Sequence, residues 1–96
     1  MVSKSTAVRI RWSDIVFLKK IKKYRETYDI IINKLIDECV QFIDQVEDDI
    51  FEPYEIFTVK MTDGTKERLD IIAREKILSR SEVLRRLIQA KAKGLC

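Results

Sequence analysis

At 96 residues the chain is long enough for one hydrophobic core and too short for two domains of ordinary size. Its 46% apolar content, with two Gly and one Pro, excludes disordered and fibrous classes and points to a compact, mostly helical protein. A net charge of +3 leaves polyanions open as partners, while two cysteines and no histidine exclude a zinc site of the usual type. No apolar run reaches the length of a membrane span and the N-terminus lacks a signal-peptide layout, so the expected location is cytoplasmic, with no membrane partner.

In chain order, Met1–Thr6 is polar and is expected to be loose. Ala7–Trp12 follows, and in Val8-Arg9-Ile10-Arg11-Trp12 apolar and basic residues alternate, as in a strand with one face in a core. Ser13 stands where an N-cap belongs, with Asp14 complementing the helix dipole. The helix it opens runs to about Tyr24 and draws its buried side from Val16, Phe17, Ile21 and Tyr24, leaving Lys19, Lys20, Lys22 and Lys23 outside. After a break at Arg25–Glu26, with Thr27 or Asp29 as cap, a long helix is expected from Thr27 to about Val46. Its stripe is Ile31, Ile32, Leu35, Ile36, Cys39, Val40, Ile43 and Val46. An acidic connector, residues 47–54, ends it at Pro53.

A second alternating stretch, Phe57-Thr58-Val59-Lys60-Met61, begins 49 positions after the first and anchors a strand over about Glu55–Met61. Thr62 or Asp63 caps a helix with Leu69, Ile72 and Ala73 inward, and Ile77–Leu78 breaks it. Ser79-Arg80-Ser81-Glu82 fits a capping box and opens a helix with Val83, Leu84, Leu87 and Ile88 on its stripe; Ala90–Cys96 is expected to fray after Gly94. The order strand–helix–helix thus occurs twice, at 7–46 and 55–90, within one domain spanning 1–96. A unit with a single strand leaves its backbone edges unpaired, so the two strands are expected to pair and the helices to close over Val8, Ile10, Trp12, Phe57, Val59 and Met61. Cys39 lies on the stripe and Cys96 ends the chain; a disulfide between them is open, but a reducing compartment favours a buried thiol and a free terminal one.

Charge is segregated. Residues 1–25 carry eight Lys/Arg against one acid, residues 26–56 one against ten, and residues 57–96 ten against five. Basic charge travels with the two strands, a layout suited to a polyanion. Fourteen isoleucines with one Asn and no His are typical of a thermophile protein.

These residues resemble the ribbon-helix-helix family of transcription factors, which includes the Arc, MetJ and CopG repressors. Phe57–Ile88 carries the family's order most closely: alternating strand, polar cap, helix with Leu69 and Ala73 inward, short turn, then Ser-x-Ser-Glu before an apolar helix. The first copy matches in its strand and second helix. Members ordinarily carry one copy per chain and dimerise, so this chain resembles a covalent dimer, similar to some small archaeal-virus regulators, in which linkage replaces bimolecular assembly. The resemblance implies a mainly α fold with a two-stranded antiparallel ribbon, a tandem ribbon-helix-helix pseudo-dimer. It also implies double-stranded DNA as partner, with the ribbon in the major groove.

Carried over by position, the groove-facing residues are Ala7, Arg9 and Arg11, with Ile56, Thr58 and Lys60 as counterparts. An Arg gripping guanine O6 and N7 contributes about 1–3 kcal/mol of base discrimination. Phosphate contacts are expected at the starts of the second helices, from Ser79, Arg80 and Ser81 and from Thr27 and Tyr28, with Asp29 an unfavourable neighbour for phosphate. The expected function is sequence-specific transcription regulation such as repression, without catalysis, cofactor or metal, as a monomeric pseudo-dimer or as homo-oligomers along DNA. If the chain is viral, its location is the host cytoplasm. Alternatives are a protein-interaction or antitoxin-like module and a non-specific architectural DNA binder.

Overall fold

The structure is a computed structural model that describes residues 3–46 and 53–96. Two strands and four helices follow one another in the order β1 (Ser3–Arg11), α1 (Trp12–Ile21), α2 (Tyr28–Cys39), β2 (Tyr54–Thr62), α3 (Asp63–Lys76) and α4 (Arg80–Ala92), with a 3-10 helix at Val40–Gln45. The chain is therefore mainly helical, with one two-stranded antiparallel sheet.

Alternation makes the ribbon. Thr6, Val8 and Ile10 of β1 and Val59 and Met61 of β2 are buried, and Phe57 packs against them half-buried. Ser5, Ala7, Arg9, Ile56, Thr58 and Lys60 point the other way and are exposed. The register is centred on Ala7 opposite Thr58, flanked by Arg9 opposite Ile56 and Ser5 opposite Lys60. Strand β1 thus starts earlier than the sequence reading had it, because Ser3–Thr6, expected to be loose, continue the pairing as far as Thr62.

Each strand passes into its helix without a loop. The Arg11 N–H donates to Asp14 Oδ2 at 3.2 Å, so Arg11, not Ser13, occupies the cap of α1. This puts Trp12 in the first helical turn, 52% exposed and beneath the Lys19 ammonium, and removes it from the expected core. The buried stripe of α1 is Ile15 and Leu18 together with Asp14; Val16 is exposed and Tyr24, beyond the helix end, is 89% exposed. Thr62 caps α3, its hydroxyl accepting from the Thr65 N–H at 3.3 Å.

Helix α2 is capped by Thr27, which accepts from the Ile30 N–H, and buries Ile31, Ile32, Leu35, Ile36 and Cys39. Its α geometry stops at Cys39 rather than continuing to Val46. Val40, Ile43 and Val46 recur every three residues, so the tighter 3-10 turn keeps all three towards the core. The acidic connector falls at 47–52 outside the described residues.

Helix α3 ends at Ile77, whose left-handed backbone (φ 56°) lets the Leu78 N–H reach the Ala73 carbonyl at 2.9 Å. Ser79 and Glu82 form the expected reciprocal capping box of α4. Helix α4 packs on β1 and against α1, α2 and α3, which is why residues on nearly every side of it, Val83 to Arg85 and Leu87 to Ala90, are buried. Helix α2 packs on β2, so α2 covers the strand that follows it and α4 covers the first strand of the chain.

The C-terminus does not fray. Gly94, at φ 77°, turns the tail back, the Leu95 N–H bonds the Ala90 carbonyl at 3.0 Å, and Cys96 forms a disulfide with Cys39 across a Cα–Cα distance of 5.4 Å. The expected pair of free thiols is thereby corrected. The end of α2 and the tail of α4 converge on one place.

Element starts refine the internal repeat. The strands end at 11 and 62, the first helices begin at 12 and 63, and the second helices begin at 28 and 80, offsets of 51, 51 and 52. At a spacing of 51, Val8-Arg9-Ile10 aligns with Val59-Lys60-Met61, against the spacing of 49 between the two alternating stretches.

Candidate nucleic-acid interface

The outer ribbon face is not covered by any helix at its six central positions, Ser5, Ala7, Arg9, Ile56, Thr58 and Lys60. With the offset of 51, Ser5, Ala7 and Arg9 correspond to Ile56, Thr58 and Lys60. Arg9 and Lys60 then occupy equivalent places, each two residues from the central Ala7–Thr58 pair, at diagonal corners of the ribbon. Four residues of strand separate them, roughly 13 Å along the ribbon at 3.3 Å per residue. Ile56, 66% exposed, lies directly across from Arg9.

Arg11, expected on this face, is not there. It is only 3% exposed, and its guanidinium lies 5.2 Å from the centroid of the Tyr54 ring. Arg85, buried in α4, stacks on the same ring at 4.9 Å and bonds its hydroxyl. Tyr54 is thus clasped by two guanidiniums where β1 turns into α1, and Arg11 is committed to closing that end of the ribbon. The third exposed residue of β1 on this face is instead Ser5, towards the other end of the strand, opposite Lys60. The sign of it was in the sequence: the Ser5-Thr6-Ala7-Val8 alternation continues upstream, with β-branched Thr6 facing inward.

The residues expected at phosphate sit at the two flanks. Ser81 Oγ accepts from the Arg9 N–H at 2.9 Å, and Ser79 caps α4. Arg80 does not project towards the ribbon's partner space. Its Nε and Nη2 grip the two oxygens of Asp70 at 2.7 and 3.1 Å, and that hydrogen-bonded pairing holds the Asp70 carboxyl below its ordinary value. On the other flank Thr27 caps α2, and Tyr28 is half-buried, its ring edge-on to Phe57 at 5.3 Å. Asp29 does not cap its own helix. Its carboxylate reaches β2 and accepts from the Thr62 N–H at 2.8 Å, with Asn33 linking it to Thr65.

A shallow cleft lies on each flank. One is lined by Arg9, Tyr54, Ser79, Ser81 and Arg85, the other by Lys22, Thr27, Tyr28, Thr58 and Lys60. Lys22 was not singled out as a site residue from the sequence, since a lysine at a helix end reads as surface until the fold sets it beside β2. Among the described residues no cluster of acidic or cysteine side chains is placed to hold a metal ion, and no helix is long and apolar enough to cross a membrane.

Over all 96 residues the chain is 42% identical to "Uncharacterized protein 29" of Sulfolobus islandicus filamentous virus (isolate Iceland/Hveragerdi), covering the whole of both proteins. The chain belongs to that viral protein's family. No family model matches the chain, and no solved structure does.

Proposed function

We propose that this protein is a sequence-specific DNA-binding regulator of transcription, built as two ribbon-helix-helix repeats in one chain and acting as a pseudo-dimer. The observation that carries the reading is the open ribbon face, with Arg9 and Lys60 at diagonal corners and Thr58 at the centre. A two-stranded ribbon fits the width of the major groove, and the roughly 13 Å along the ribbon between the positions of Arg9 and Lys60 corresponds to about four base-pair steps at 3.4 Å each. Arg9 reads a guanine bidentately, Lys60 contacts a second base on the far side of the centre, and Thr58 hydrogen-bonds or meets a thymine methyl. Ala7 admits the groove floor, and Ile56 offers an apolar surface to a thymine methyl beside the base read by Arg9. Thr27, Ser79 and Ser81, on the flanks, position the ribbon against the backbone.

The pseudo-dimer explains the exchange of helices between strands. The packing that supports the reading is α2 on β2 and α4 on β1.

The test is the double variant Arg9→Ala/Lys60→Ala against a duplex selected from random DNA. Both side chains are exposed, so circular dichroism and melting remain those of the parent, while two lost base contacts at about 1–3 kcal/mol each weaken binding by on the order of 100-fold or more. Unchanged affinity for the selected duplex would show that the ribbon is not the reading surface.

A further inference from the structure

The cleft between β2 and the start of α2 differs in kind from the one between β1 and α4. It is lined by Lys22 and Lys60, by Thr27 and Thr58, and by Tyr28 and Glu26. The Lys22 ammonium lies 5.4 Å from the centroid of the Tyr28 ring, and both lysines are exposed. Among the described residues neither forms an ion pair, whereas Lys34, Lys76, Arg80 and Lys91 are each bound to an acid. The lining carboxylate, Glu26, is occupied by the Lys34 ammonium and the Lys23 N–H, which hold it ionised and turned to those partners. Asp29, the acid that made this flank a poor phosphate site on sequence grounds, is bound to the Thr62 N–H.

An anion entering this cleft therefore meets the Lys22 ammonium without displacing an internal acid, while Lys60, at the other side of the cleft, remains with the base it contacts. The cleft on the α4 flank contains Arg9, Arg85 and Glu82, and Arg80 lies outside it and would have to give up both hydrogen bonds to Asp70 to reach a phosphate. We propose that the cleft between Lys22 and Lys60 seats a phosphate of the DNA backbone, with Lys22 the anchoring cation on the β2 side and Arg80 no part of the contact. This rests on the ribbon being the DNA-reading surface, and it assigns to the first repeat a clamp of different chemistry from that of the second. Lys22 owes its place to the early end of α1, ten residues against fourteen in α3, which leaves an extended residue at the cap beside β2.

The experiment is the salt dependence of binding to the selected duplex, because each phosphate contact contributes about 0.9 to the slope of log K against log salt. Lys22→Gln should reduce the magnitude of that slope by about 0.9, Lys22→Arg should keep it, and Arg80→Ala should leave it unchanged. Lys22 is exposed, so these variants at the α1 end keep the parent's circular dichroism. A wild-type slope in Lys22→Gln overturns the assignment while leaving the DNA reading intact, as does a reduced slope in Arg80→Ala alone. Failure of the wild-type protein to bind any selected duplex overturns the DNA reading, and this assignment with it.

Discussion

The backbone N–H of Arg9 donates to the hydroxyl of Ser81, 72 residues further along the chain, at 2.9 Å. Asp29 does the corresponding work for β2 by accepting from the Thr62 N–H at 2.8 Å. Both acceptors are the second residue of their helix, and each belongs to the helix that covers the strand it bonds. A ribbon of two strands has two open edges, and unpaired N–H groups there invite pairing with another chain. The helix starts satisfy some of those groups while leaving the outer face bare.

These two edge bonds should differ in cost when removed. Ser81→Ala loses a neutral hydrogen bond and should destabilise by about 0.5–1.5 kcal/mol, while Asp29→Ala loses a charged acceptor and should cost about 1.5–3 kcal/mol. Urea unfolding of the two variants measures both; a Ser81→Ala loss as large as that of Asp29→Ala would contradict the assignment.

The Cys39–Cys96 bridge joins the end of one second helix to the tail of the other across a sequence separation of 57. Closing a loop of that length should contribute about 4 kcal/mol by restricting the unfolded chain. Cys96→Ser should lower the unfolding midpoint accordingly. A reductant should bring the parent down to the same stability and leave the variant unmoved.

Ile77 adopts φ 56° although it is β-branched, and its side chain is 91% exposed. The left-handed conformation costs an L-residue roughly 1–2 kcal/mol. Ile77→Gly relieves it with little loss of burial, and after the extra freedom of glycine in the unfolded chain the net gain should be about 0.5–1 kcal/mol. Thermal melting reads this directly, and a lower melting temperature would show that Ile77 contributes more through contacts than it loses through its backbone.

The Asp70–Arg80 pair makes stability depend on acid. Its hydrogen bond to Arg80 lowers the Asp70 pKa from the ordinary 3.8, so the folded state binds that proton less readily than the unfolded state. The stabilisation is present above pH 3.8 and is lost as pH falls through the lowered value. Asp70→Asn should flatten the acid limb of stability against pH while leaving Lys22-dependent DNA binding at neutral pH unchanged. An unaltered acid limb would place the titrating group elsewhere.

The reading face itself is unequal about its centre, Ser5/Ala7/Arg9 against Ile56/Thr58/Lys60. On the proposed function the preferred site is consequently not a perfect palindrome. Arg9 should demand a guanine more strictly than Lys60 does, because a guanidinium can make two hydrogen bonds in a fixed geometry and an ammonium cannot. Site selection returning strictly palindromic sequences bound by one molecule would count against it.

Much of this was legible from the residues alone. Two-residue alternation announces strands at Val8 and Val59 whatever surrounds them, the Ser79-x-x-Glu82 spacing closes a capping box within four residues, and the stripes of α2 and α4 follow from helical period. Such features depend on neighbours close in sequence. What needed the folded chain was each decision made by a distant neighbour. The strand register, and with it the replacement of Arg11 by Ser5 on the open face, is set by pairing with a strand 51 residues away, and sliding either strand by two residues keeps the same alternation. Whether Arg80 faces phosphate or Asp70, whether Asp29 caps its own helix or binds Thr62, and whether Cys39 meets Cys96 depend likewise on which surfaces the core brings together. Periodicity specifies which side of an element is buried; only packing specifies what waits on the other side.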